Sequence, residues 1–153
     1  MLKRVATVLS VLALVGGWTV GTGAVRSVVA AAPSERSKSV TLDGVSYADH
    51  GTKDVRSLSK LPLEADDYYF SPTFLRGKPG QKLTLLIENE GHMVHNISIP
   101  ALGVDTDIPL KGKVRMNVAF PASGVLAFSC KFHEALGMNG RLMTVGVAAG
   151  TAR

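Results

Sequence analysis

The stretch V-L-A-F-S-C-K-F-H-E-A-L-G-M, residues 125–138, joins a short alternating run to a loop with three side chains that bind soft metals. In its first part, Leu126 and Phe128 share one face with Cys130, which is the pattern of a strand that is buried on one side. His133 and Met138 then follow the cysteine. The stretch predicts a strand that ends at Cys130 and is followed by a metal-binding loop.

The alternating pattern recurs elsewhere in the chain. Leu83, Leu85 and Ile87 share one face of the segment from Lys82, and further candidate strands are Ala65 to Phe70, Val94 to Ile99, Val114 to Phe120 and Arg141 to Val147. Turn signals separate the candidates at Asp43-Gly44, Pro79-Gly80, Ser123-Gly124 and Asn139-Gly140. Short strands without a long helical pattern predict an all-β chain that forms a β-sandwich or a barrel.

A fourth candidate ligand, His95, lies 35 residues before the cysteine. In its candidate strand, His95 shares a face with Ile97 and Ile99, so a core on that face turns the imidazole inward. Cys130 is turned inward by the same argument. Because each residue stands at the end of its strand, the two can meet at an edge of the sandwich.

Two imidazoles, one thiolate and one weak thioether are the ligands of mononuclear electron-transfer copper sites. The competing ion is zinc, whose structural sites usually take all four ligands from cysteine and histidine. Zinc would leave Met138 without a role, whereas copper accounts for His95, Cys130, His133 and Met138 together. We therefore expect one copper ion at these four residues.

These motifs resemble those of the cupredoxins, the small blue copper proteins, and among them plastocyanin and pseudoazurin. The resemblance covers about Leu61 to Ala148: it rests on His95-Asn96, on the Cys-x-x-His-x-x-x-x-Met loop, and on the runs Tyr69-Phe70-Ser71-Pro72 and Gly77-Lys78-Pro79-Gly80-Gln81. It implies a Greek-key β-sandwich and the same four copper ligands. It also implies that Asn96 joins the two ligand segments by hydrogen bonds.

One position departs from the family pattern, which usually has proline before the loop histidine. Phe132 stands there instead and restores a backbone N–H that could donate to the Cys130 sulfur. Such a bond would stabilise thiolate charge, which is best tolerated in the reduced site, so Phe132→Pro is expected to lower the reduction potential. Plain packing of the Phe132 ring is the alternative.

The expected function is one-electron transfer between respiratory or other redox partners through the edge of the His133 ring, with no substrate reaction of its own. Leu136, Gly137 and Met93 are expected to form the apolar docking surface of a monomer, which suits a weak, transient contact. The alternative is a copper delivery or storage protein with the same ligands and exchangeable metal. A metal-free adhesion module of the same shape would leave the four ligands unexplained.

The N-terminus has the order of an export signal. Met1-Leu2-Lys3-Arg4 is basic, an apolar stretch follows, and small residues end the segment near Ala32. Because the uncharged stretch from Val5 to Val25 has 21 residues, it could instead remain as a membrane anchor. Both alternatives place the remainder in the periplasm, outside the cell or on the outer face of the cytoplasmic membrane. We expect residues 1–32 to be signal or anchor, 33–60 a polar tether or a strand addition, 61–148 the cupredoxin domain and 149–153 a tail.

Charge and motif content exclude several other functions. Three of the 17 basic residues precede Ala32 and none of the 12 acidic ones does, so the remainder carries only +2, too little for a nucleic-acid interface. Four histidines are too few for a multicopper oxidase, and a single cysteine excludes a binuclear centre. We expect His92 to cap a loop and His50 to be solvated. Gly91, Gly137 and Gly140 are expected in turns.

Overall fold

The computed structural model describes residues 38–145, in which all regular structure is β-strand apart from two short 3₁₀ helices. The strands are β1 (Lys38–Leu42), β2 (Val45–Asp49), β3 (Thr52–Asp54), β4 (Lys60–Asp66), β5 (Tyr69–Ser71), β6 (Phe74–Gly77), β7 (Lys82–Asn89), β8 (His95–Ile99), β9 (Val104–Ile108), β10 (Lys113–Ala119), β11 (Val125–Ser129) and β12 (Asn139–Thr144). The 3₁₀ helices are Pro100–Leu102 and Glu134–Leu136. The all-β prediction is confirmed for these residues. The predicted export segment, residues 1–32, lies outside them.

The strands form two larger sheets and one hairpin. One sheet has the order β10-β7-β4-β5, the other has the order β3-β6-β12-β11-β8-β9, and β1 and β2 pair with each other. After β7, the chain passes to the second sheet for β8 and β9, returns for β10, and passes back for β11 and β12. Those crossings bring β8 and β11 side by side, antiparallel.

Alternation along the strands builds the core. In β4 and β7 every second residue is buried, which turns Leu63, Leu85 and Ile87 toward the second sheet. That sheet contributes Leu75, Ile97 and Phe128, among others, to the same buried cluster. Burial of apolar surface at about 25 cal/mol per Å² makes this shared core the main source of stability. The arrangement is that of a β-sandwich.

The predicted strand Ala65 to Phe70 is wrong, because a turn divides it. β4 ends at Asp66, β5 begins at Tyr69, and these two residues pair directly. The side chain of Asp66 accepts the backbone N–H of Asp67 at 2.7 Å, a local bond that competes with strand pairing. Tyr68 completes the turn with a φ of 73°.

The predicted turn at Asn139-Gly140 is also wrong, since both residues open β12. Gly140 lies opposite Phe128 in the β11–β12 register. A Cβ at Gly140 would stand 2.1 Å from a ring carbon of Phe128. The glycine therefore makes room for a core aromatic ring. The turns at Asp43-Gly44, Pro79-Gly80 and Ser123-Gly124 are confirmed by positive φ values at Asp43 and at their glycines.

The segment ahead of β4 is a strand addition where the structure describes it, from residue 38. β3 pairs in parallel with β6 at the edge of the second sheet. In the β1–β2 hairpin, Tyr47 is buried and its hydroxyl accepts a hydrogen bond from Nε of Arg141 at 2.6 Å. The same guanidinium pairs with Asp43 at 2.7 Å. This segment is thus anchored to the sandwich.

Candidate metal centre

His95 opens β8 and is fully buried. Its inward direction follows from strand parity, because Ile97 and Ile99 on the same face lie in the core. Burial lowers the pKa of His95, and the nearby His133 lowers it further. Both effects favour the neutral imidazole, which is the form that can bind a metal.

The other candidate ligands lie in the loop between β11 and β12, which is closed by its own backbone hydrogen bonds. Cys130 N–H donates to the Met138 carbonyl at 3.0 Å, and Met138 N–H donates to the His133 carbonyl at 3.2 Å. His133 N–H in turn donates to the Cys130 carbonyl at 2.9 Å. Gly137, with a φ of 98°, allows the reversal that ends the short 3₁₀ helix. The loop holds its three candidate ligands, Cys130, His133 and Met138, in a fixed arrangement.

Three side chains converge from these two segments. One ligand atom each from His95, Cys130 and His133 lies within 4.8 Å of the other two. Nδ1 of His95 is 3.3 Å from Nδ1 of His133, which is 3.5 Å from Sγ of Cys130. The ring centroids of His95 and His133 are 5.2 Å apart, with an angle of 70° between the ring planes. The structure thus brings together the histidine of β8 and two residues of the loop, as the parity argument expected.

Met138 is fully buried and is fixed by backbone hydrogen bonds to Cys130 and His133. A buried methionine is also a common filler of core gaps. Met138 nevertheless remains a candidate for the fourth ligand, because its backbone is hydrogen-bonded to the backbones of Cys130 and His133.

Asn96 joins the two segments. Its amide nitrogen donates to Asp105 at 2.7 Å and to Asp107 at 2.8 Å, while its oxygen accepts a long bond, 3.5 Å, from the Lys131 N–H. The Lys131 ammonium lies 2.8 Å from Asp105 and 2.9 Å from Asp107. Hydrogen bonds from Lys131 and then from Asn96 lower the pKa of both carboxyl groups. A polar network thus ties β8 and β9 to the residue that follows Cys130.

Within residues 38–145, the structure shows no hydrogen bond from Phe132 N–H to the Cys130 sulfur, the first of the two alternatives for Phe132. The Phe132 ring is half-exposed and lies 6.3 Å from the His133 ring. The Lys131 ammonium stands 5.2 Å from its centroid. Phe132 therefore neither reaches the sulfur nor fills the core, and it lies on the surface beside the site.

The β4–β5 turn covers the site, and this contact was not predicted from the sequence. Asp67 pairs through Oδ2 with Nδ1 of His92 at 2.8 Å, and its Oδ1 lies 3.7 Å from Nε2 of His95. The Tyr68 ring meets the His133 ring edge-on at 5.2 Å. His92 is exposed and holds this turn, in keeping with the expected capping role. No motif marked the turn, because its contacts depend on tertiary structure.

His50 is not the solvated residue that we expected. Its ring stacks on Tyr69 at 3.5 Å with an angle of 5° between the planes. The Tyr69 hydroxyl donates to Asp66 at 2.8 Å. Burial, followed by this hydrogen bond, raises the pKa of Tyr69 to about 12. The stack fastens the end of β2 to β5.

Gly137 is buried and not part of the surface, in contrast to the expected docking role. The carbonyl oxygen of Gly137 accepts the N–H of Ala48 at 2.9 Å, so β2 covers it. A Cβ at this position would lie 3.2 Å from that nitrogen. Leu136, by contrast, is exposed.

Comparisons with known proteins agree with this fold. The model of the cupredoxin-like domain family matches residues 46–144. The metal-binding domain of the Cu(I)-exporting P-type ATPase CopA of Streptococcus pneumoniae, solved with Cu(I), is similar in structure: the TM-score is 0.52 at 14% identity, over 63% of this chain and 98% of that one.

Two further solved structures are less similar. Auracyanin from the photosynthetic bacterium Roseiflexus castenholzii gives a TM-score of 0.48 at 16% identity, over 57% of this chain and 98% of that one. Auracyanin B gives 0.48 at 17% identity, over 57% and 88%. No curated protein sequence matches significantly.

Within residues 38–145 the structure has no helix long and apolar enough to cross a membrane.

The family match covers about two thirds of the chain and nearly all of the described residues. It includes both segments that carry the His-Cys-His cluster. The chain belongs to the cupredoxin-like domain family.

Proposed function

We propose that the protein binds one copper ion through His95, Cys130, His133 and Met138 and carries single electrons between redox partners. The observation that carries the proposal is the convergence of two imidazoles and one thiol within 4.8 Å of one another. Met138 lies in the same closed loop. A Greek-key β-sandwich is the scaffold that the family resemblance implies.

The donor set fits copper better than zinc. Thiolate and thioether are soft ligands, and imidazole suits copper as well, so all four candidates have a role. The bound ion would supply a one-electron change between Cu(I) and Cu(II). The chain contributes a rigid arrangement: Cys130, His133 and Met138 are joined by backbone hydrogen bonds, and His95 is buried in β8. Rigid ligands keep the rearrangement between the two oxidation states small.

Electrons would enter and leave near His133, whose ring is partly exposed and touches the ring of Tyr68. Exposed apolar side chains stand on all the segments around the site: Tyr68, Met93, Val94, Phe132 and Leu136. Such a surface suits a short-lived contact with a respiratory or other redox protein. A location outside the cytoplasm is supported by the basic and apolar pattern of residues 1–32.

The test is the optical spectrum of the purified protein after Cu(II) is added, with Cys130→Ser as the matched variant. An intense visible band in the wild type, absent in Cys130→Ser, would come from thiolate-to-copper charge transfer. Reversible one-electron voltammetry of the coloured protein would support the carrier. A protein that takes up no copper would contradict the proposal.

Copper delivery or storage uses the same residues, so the spectrum must be joined to an exchange measurement. A carrier retains its copper when a competing chelator is added and exchanges electrons quickly with a small redox mediator. A colourless protein that takes up Cu(I) and passes it readily to the chelator would favour delivery instead.

A further inference from the structure

The two ring nitrogens of His95 face different surroundings. Nδ1 lies in the His-Cys-His cluster, 3.3 Å from Nδ1 of His133. Nε2 is buried and has no hydrogen-bond partner, while Oδ1 of Asp67 stands 3.7 Å away. A buried polar atom without a partner costs about 1–3 kcal/mol. A shift of roughly 0.7 Å would bring the Asp67–His95 pair to ordinary hydrogen-bond distance.

His92 holds the Asp67 carboxylate in this position from the other side. The backbone N–H of His92 donates to Oδ1 at 2.9 Å, and its ring nitrogen Nδ1 lies 2.8 Å from Oδ2. These bonds, the backbone one first, lower the pKa of Asp67. The group facing His95 is therefore a carboxylate with a fixed direction.

Gly91 makes the approach of the two side chains possible. A Cβ at this position would stand 2.5 Å from Oδ1 of Asp67 and 2.6 Å from Nε2 of His95. Any other residue would place a carbon between the carboxylate and the imidazole. The backbone is thus built to let this pair meet.

We propose that Asp67 is a positioning residue of the copper site: its carboxylate accepts the Nε2 proton of His95 and thereby leaves Nδ1 unprotonated and directed at the metal. The inference rests on the proposed function, because it takes His95 as a ligand. Carboxylates that hold the second nitrogen of a ligating histidine fix its tautomer and its ring orientation. Here the carboxylate comes from the β4–β5 turn, a part of the chain that supplies no ligand.

The test compares the wild type with Asp67→Ala by two measurements on the full chain. Ring ¹⁵N chemical shifts of the metal-free protein at about pH 8, where imidazole is neutral, show which nitrogen carries the proton. Competition with a chromogenic chelator gives the dissociation constant for Cu(I). We expect the Nε2–H tautomer in the wild type, a mixture of tautomers in Asp67→Ala, and Cu(I) binding weakened about 10- to 100-fold.

Two further variants separate position from charge. Asp66→Asn removes a neighbouring charge that acts on His95 through space, while the amide oxygen of asparagine can still accept the backbone N–H of Asp67 that Asp66 accepts. We expect no change of tautomer in this control. Gly91→Ala keeps the Asp67 carboxylate but places a methyl group between it and the His95 imidazole, so it should reproduce the change of tautomer seen in Asp67→Ala. Unfolding midpoints of all the variants check that each one is folded.

An unchanged His95 tautomer in both Asp67→Ala and Gly91→Ala would overturn the inference. A loss of Cu(I) binding without a change of tautomer would overturn it as well, because it would reflect charge alone. If the wild type binds no copper, the proposed function fails. The ¹⁵N shifts of the metal-free protein then still decide whether Asp67 orients His95.

Discussion

Ala48 donates its backbone N–H to the carbonyl oxygen of Gly137 at 2.9 Å, which joins strand β2 to the residue before Met138. A second bond lies beside it, from the Asn139 side chain to the Ser46 carbonyl at 2.8 Å. The β1–β2 hairpin is therefore bonded to the two residues that stand directly before and after Met138 in the sequence. This hairpin comes from a segment for which composition alone left open a tether or a strand addition.

Tyr47 should be the main anchor of that hairpin. Its ring is buried and packs on Phe74 at 5.3 Å. Tyr47→Ala removes this ring and should lower the free energy of unfolding by about 3–5 kcal/mol. Tyr47→Phe removes only the partner of Arg141 Nε and should cost about 1–3 kcal/mol. Urea unfolding of the metal-free protein measures both, and equal losses in the two variants would contradict this role of the ring.

Gly140→Ala should destabilise the protein by at least about 2 kcal/mol, because the added methyl group meets the ring of Phe128. In a Phe128→Leu background the same substitution should cost much less. The double-mutant cycle therefore has a large coupling energy. Additive losses in urea unfolding would show that the ring is not the obstacle.

Tyr68 adopts a left-handed backbone conformation, with a φ of 73°. Tyr68→Gly should therefore be more stable than Tyr68→Ala by about 1 kcal/mol, since only glycine adopts this conformation without strain. The same pair of substitutions at the strand residue Tyr69 is the control and should give the opposite order. Thermal or urea unfolding compares the four variants. Alanine more stable than glycine at position 68 would refute the interpretation.

Acid should weaken the network around Lys131. The pKa values of Asp105 and Asp107 lie below their ordinary value of 3.8 in the folded protein, so the unfolded chain binds protons first. The stability from these groups is present above that value and is lost as the pH falls below it, toward their lowered pKa in the folded protein. Lys131→Met should flatten this part of the stability curve of the metal-free protein, measured by urea unfolding from about pH 6 to about pH 3. Lys60→Met, which contacts neither carboxylate, should leave the slope unchanged.

Met138→Leu should raise the reduction potential of the copper-loaded protein. Leucine fills about the same volume but cannot donate to Cu(II), so the reduced state is favoured. Voltammetry of the copper-loaded protein measures the change. Met93→Leu is the matched control, because Met93 lies on the surface beside the site. An equal shift in both variants, or a lower potential in Met138→Leu, would argue against Met138 as a ligand.

Local patterns were enough to predict the inner strands and the directions of His95 and Cys130. Parity works there because each strand has one buried face. The same reasoning did not predict the turn at Asp67. The role of this turn depends on its contact with His95, which lies 28 residues away in the chain. It also wrongly placed Gly140 in a turn. In a sequence, a glycine that makes room for a ring on the neighbouring strand cannot be distinguished from a glycine that allows a turn. Tertiary contacts decided both positions.

Cys130 is fully buried, and this has a consequence for its chemical durability. A thiol reacts with alkylating reagents only as a thiolate in contact with solvent. The cysteine of the metal-free protein can therefore be modified only during the moments when the loop between β11 and β12 opens. Its alkylation rate therefore measures how often the loop opens, and it gives the free energy of this local opening.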